Sequence, residues 1–152
     1  MTNAILTLHS ILRWILLILL LASIFKSFSG WQSKKIFTPG DKKIFLFTLI
    51  SAHINLLVGL YLLFFGTFGI VNGLPAGVEL MKNKTLRFFW VEHPTGMIIS
   101  IILITLGYGM AKKSVSDTVK FKKAFWFFFI ALIIILATVP WPFREVIARP
   151  WI

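Results

Sequence analysis

The sequence predicts an all-α fold: an integral membrane bundle of four transmembrane helices, forming a single domain over 1–152. Three observations carry that prediction. Hydrophobic residues make up 58% of the 152 and charged residues 14%, whereas soluble domains run near about 45–50% and about 25%. With a mean hydropathy of +0.89, a water-soluble chain of this size could not hide its apolar surface. The apolar residues also collect in four stretches close to the ~20 residues that a bilayer core demands. Finally, continuous apolar runs such as residues 15–21 lack the alternation of a barrel strand, so backbone polar groups within lipid must be satisfied by helices.

The first stretch, about 5–25, has the length of a secretory leader. It lacks a basic start and a small-residue cleavage site, and it carries His9 and Arg13; it reads as a retained helix. The second, about 44–65, follows Thr38-Pro39-Gly40-Asp41, a capping residue and an early proline of the kind that opens helices. Residues 66–77 hold four glycines and one proline and read as an irregular loop. Residues 79–87 suggest a short amphipathic lead-in to the third helix, about 88–111. The fourth, about 124–139, ends at Pro140-Trp141-Pro142, where two prolines remove donors and obstruct continuation.

Lys and Arg number 16 against 5 Asp and Glu, a formal charge of +11. On a soluble protein this excess would suggest nucleic acid; on a membrane protein it marks loops kept beside anionic headgroups, and no nucleic-acid partner is expected. Lys26, Lys34, Lys35, Lys42 and Lys43 of the first loop, with Lys112, Lys113, Lys120, Lys122 and Lys123 of the third, place ten cations on one side. Lys82, Lys84, Arg87, Arg144 and Arg149 place five on the other. The positive-inside rule then predicts a multi-pass protein of a bacterial inner membrane with both termini periplasmic. Trp31 and Trp126 suit the inner interface, and Trp90, Trp141 and Trp151 the outer. The absence of cysteine excludes disulfides, thiolate metal sites and covalently attached haem.

Ionisable side chains within membrane helices are costly and point to function. His9 and Arg13 lie four residues apart on one face of helix one. Glu92 and His93 precede Pro94 near the start of helix three, at a similar depth, and His53 and Asn55 lie deeper in helix two. Two of these histidines suit the axial positions of one haem iron between helices. His93 with His9 match best in depth, and His53 is the alternative ligand or a hydrogen-bond partner for quinone. Arg13 and Arg87 suit the haem propionates. Gly96, Ser100 and Gly107 make a small-residue stripe that allows either close helix approach or room for a flat macrocycle. The plainer reading makes Arg13 and Glu92 a structural ion pair fixing helix register, in a cofactor-free subunit or scaffold of a larger complex. A proton or ion conductor built on the His, Glu and Arg cluster ranks third, for want of a continuous polar path. No nucleophile–base arrangement, phosphate loop or zinc signature appears, so an electron-transfer component is the most that can be expected of it as an enzyme.

Several segments carry a family likeness: residues 9–14 (HSILRW), Phe37-Thr38 with Asp41-Lys42-Lys43, residues 52–55 (AHIN), 87–94 (RFFWVEHP) and 140–145 (PWPFRE). Across nearly the whole chain the sequence resembles a family of small cytochrome b-like membrane proteins of Bacteroidetes. The resemblance implies haem b and electron exchange with quinol or a partner oxidoreductase. Respiratory-chain or other membrane subunits, or further copies of the chain, are the expected partners.

Overall fold

A computed structural model describes residues 2–152, and among them every regular element is helical. Four helices are long and apolar enough to cross a membrane: α1 (Thr2–Gln32), α2 (Pro39–Phe65), α3 (Lys84–Met110) and α4 (Asp117–Thr138). A single 3₁₀ turn, Ile70–Asn72, interrupts the long connection between α2 and α3. Each helix packs on two neighbours, α1 on α2 and α4, and α3 on the same two. α1 and α3 therefore stand diagonally across an up-down-up-down bundle.

The helices outrun the apolar stretches that announce them. α1 has 31 residues, about 46 Å at 1.5 Å per residue, against a hydrocarbon core of about 30 Å. Caps, not hydropathy, set the starts. The Thr38 hydroxyl accepts from the Asp41 N–H while the Asp41 carboxylate accepts from the Thr38 N–H, opening α2 at Pro39 rather than near 44. Ser116 caps the Val119 N–H, so α4 begins at Asp117 with its lysine-bearing turn already helical. In α3 the backbone widens to a π turn over Phe88–Glu92, where the His93 N–H reaches the Phe88 carbonyl. Pro94 accounts for this: it has no N–H to donate and its ring crowds the carbonyl four residues back, so the turn before it opens.

The core runs down the middle of the bundle, with Leu16, Leu20, Phe45, Ile104, Phe128 and Ile135 buried. Phe45 and Phe128 meet edge to face across it, centres 4.9 Å apart. The glycines set helix spacing. A Cβ on Gly107 would lie 2.5 Å from the Phe128 ring, one on Gly96 2.5 Å from the Thr138 methyl, and one on Gly30 2.6 Å from Phe121. Of the two uses open to the Gly96, Ser100 and Gly107 stripe, the structure realises close approach of α3 to α4. At the lysine-rich end, Lys26 pairs with Asp41 at 3.1 Å, and the Asp117 carboxylate accepts from the Phe37 N–H at 3.0 Å. Ser23 and Thr48 share a buried hydrogen bond of 2.8 Å between α1 and α2.

Candidate cofactor-binding site

The other end of the bundle brings together the first turns of α1, the last turns of α2, the start of α3 and the segment after α4. Between them lies a cavity of about 150 Å3, whose lining includes His9, Arg13, Asn55, His93 and Arg149 among apolar side chains such as Leu60, Phe89 and Met97. His9 and His93 face each other from the diagonal helices, with ring centres 6.3 Å apart and planes at 79°. Each ring is oriented by its surroundings. The His93 Nδ1 lies 2.8 Å from the Thr138 carbonyl; a carbonyl only accepts, so Nδ1 carries the proton and Nε2 of the neutral ring keeps its lone pair. A backbone carbonyl behind a histidine in this way is the usual support of a metal-ligating imidazole. His9 lies over Gly59 of α2, where a Cβ would stand 3.1 Å from its Cε1. The glycine makes room for the ring. The buried His9 Nδ1 and Asn55 Oδ1 have no hydrogen-bond partner.

Arg13 is only 7% exposed. Its Nη2 donates to the Trp151 carbonyl at 2.6 Å, and its guanidinium lies 5.5 Å from the centres of both the Trp14 and Trp141 rings. The Trp14 indole N–H donates to the same carbonyl at 3.0 Å. The chain after α4 thus folds back over the mouth of the bundle. Arg149 belongs to that segment, with its guanidinium 4.8 Å from the centre of Phe68 and 4.9 Å from that of Phe89. Burial pushes its pKa down from the ordinary value. Among the described residues neither Arg13 nor Arg149 has a carboxylate partner.

No family model, curated protein or solved structure matches this chain. The site therefore rests on its own geometry.

That geometry corrects three expectations. The Arg13–Glu92 pair does not form: Glu92 accepts from the Arg87 Nε at 2.7 Å on the outer surface, five residues away on the same helix. Adjacent residues on a helix point in different directions, so Glu92 faces outward where His93 faces in. Arg87 is spent on that contact and on the Met81 carbonyl at 3.0 Å, and it does not line the cavity. His53 is exposed on the outer face of α2, its Nδ1 donating to the Leu49 carbonyl one turn back at 2.8 Å. The sequence offers it as the alternative ligand although it lies deeper than His9 and His93; its direction around the helix removes it. Sequence reasoning missed Arg149 and Gly59, because a cation beyond the last helix and a glycine within an apolar run carry no periodic signal.

A haem iron tests the arrangement. Two histidines from different helices are the donor set that one haem iron would need from the chain. The free Nε2 of His93 and the unpartnered nitrogen of His9 fit that donor set. The enclosed volume is smaller than a macrocycle: a cavity near 150 Å3 takes a ring of benzene size. A porphyrin would need the lining side chains to withdraw.

Proposed function

We propose that the chain is a small membrane cytochrome, of the b-like kind its sequence resembles, binding one haem b between His9 and His93. The observation that carries this reading is the pair of imidazoles facing across the bundle, each held by a different diagonal helix. When bound, haem supplies one-electron redox chemistry. The chain's own residues would hold it in place. The Thr138 carbonyl fixes the His93 tautomer, Gly59 leaves space for the His9 ring, and the apolar lining excludes water. With no cysteine in the chain, such a haem is extractable. The positive-inside asymmetry supports an inner-membrane location with both termini periplasmic and the haem near the outer leaflet. Quinol or a partner oxidoreductase would then exchange electrons at that face.

The visible spectrum of detergent-purified protein, expressed with ample haem, tests the reading. A Soret band with the low-spin signature of two histidines is expected. His93→Ala and His9→Ala should each abolish that signature, and His53→Ala should leave it unchanged. A colourless wild-type protein would reject it. The second reading is a cofactor-free membrane subunit. It is favoured by the modest cavity and by the edge-to-face contact of the two histidines, which lies within the range of direct ring packing, about 4.5–7 Å.

A further inference from the structure

A buried arginine within a membrane protein ordinarily has an anion beside it, because an uncompensated charge in an apolar setting is costly. Here two arginines converge on one cavity, and among the described residues neither has one. Arg13 is more than nine-tenths buried, its Nε has no partner, and its bond to a carbonyl leaves the charge itself unneutralised. Arg149 lines the same cavity, its guanidinium 4.8 and 4.9 Å from the centres of the Phe68 and Phe89 rings, which are stacked on each other. The other acidic side chains are occupied elsewhere: Asp41 by Lys26, Glu79 by Lys82, Glu92 by Arg87 and Asp117 by Lys120. The fifth, Glu145, is exposed and makes no ion pair among the described residues. Below the arginines the cavity lining is mainly apolar.

We infer that the cavity takes an apolar ligand bearing a carboxylate, with the acid group seated between Arg13 and Arg149. Arg149 is the deciding residue, because it delivers the segment after α4 to the ligand and makes that segment part of the site. The inference deepens the cytochrome reading, in which the propionates of haem are the carboxylates, and it replaces Arg87 as their partner. The same chemistry is offered by a long-chain fatty acid drawn from the bilayer, and the two sources are separable.

The experiment uses the full chain in detergent and follows quenching of its tryptophan fluorescence, since Trp14, Trp141 and Trp151 surround Arg13. Two acid–ester pairs serve as probes: iron-free protoporphyrin IX against its dimethyl ester, and oleate against methyl oleate. At least one acid should bind more tightly than its ester by about tenfold or more, the factor of one charge-assisted hydrogen bond. Arg149→Gln should remove that preference and Arg149→Lys retain part of it. A preference for both acids, or for one, supports the inference and identifies the source. Equal binding of acids and esters, binding of none, or an undiminished preference in Arg149→Gln overturns it. Should Arg149→Gln fail to fold, the acid–ester ratio on the wild type decides alone. Hemin added in parallel keeps the two readings apart. Acid preference without a bis-histidine spectrum rejects haem and leaves the carboxylate site standing. A bis-histidine spectrum with no acid preference does the reverse.

Discussion

Arg13 shows how a single residue divides stability from function. Its guanidinium is buried against two indoles and one carbonyl, which compensate part of the cost of desolvating a cation but supply no opposite charge. Replacing a buried ion pair by apolar residues of similar volume is often neutral or stabilising by about 1–4 kcal/mol, and removing Arg13 orphans no opposite charge among the described residues. Arg13→Met should therefore leave the ligand-free protein at least as stable as wild type in denaturant titration, while weakening binding of any acid ligand. A loss above about 2 kcal/mol would instead make Arg13 a structural clamp for the segment after α4. His93 is different in kind. Its hydrogen bond to Thr138 ties the start of α3 to the end of α4, so His93→Ala removes the proposed iron ligand and a tertiary contact together.

The contact between α3 and α4 depends on glycine because the Phe128 ring occupies the space of a side chain at Gly107. Gly107→Ala gains helix propensity but forces that ring or the helix to move, and overpacking of this sort costs about 1–3 kcal/mol. Gly109, two residues on, is open: a methyl group there would meet nothing within 4 Å. Gly109→Ala should stabilise by roughly 0.5–1 kcal/mol, since only the backbone entropy term remains. The pair of variants, compared by thermal unfolding in one detergent, separates packing from propensity. Equal effects of the two substitutions would mean that α3 does not approach α4 as closely as described. The π turn at Phe88–Glu92 belongs to the same scale. It answers Pro94, and it sits directly before the histidine that enters the cavity.

For the molecule as a whole, the uneven distribution of lysine and arginine predicts its orientation. The chain has no cysteine, so an introduced one is the sole thiol. Asn3→Cys should react with a membrane-impermeant maleimide applied from the periplasmic side, and Ser33→Cys should react only after the membrane is opened. Labelling of Ser33→Cys in sealed cells would invert the topology and place the cavity toward the cytoplasm.

What the sequence determined by itself was the class of fold and the depth of each polar group. Both follow from quantities that add up along the chain: apolar length against bilayer thickness, caps and prolines at helix ends, and the position of a residue within its span. The four helices and the shared depth of His9 and His93 were legible for that reason. Direction was not. Whether His53 looks inward, whether Glu92 meets Arg13 or Arg87, and whether the Gly96 stripe serves a ligand or a neighbouring helix depend on rotation of each helix about its axis. In a segment apolar on every side, no hydrophobic face reports that rotation. Contacts distant in sequence settled it: Phe128 against Gly107, Thr138 behind His93, and Trp151 over Arg13. Arg149 was the least visible of all. Its place at the cavity exists only because the chain beyond α4 turns back across the bundle, a path that no local pattern encodes.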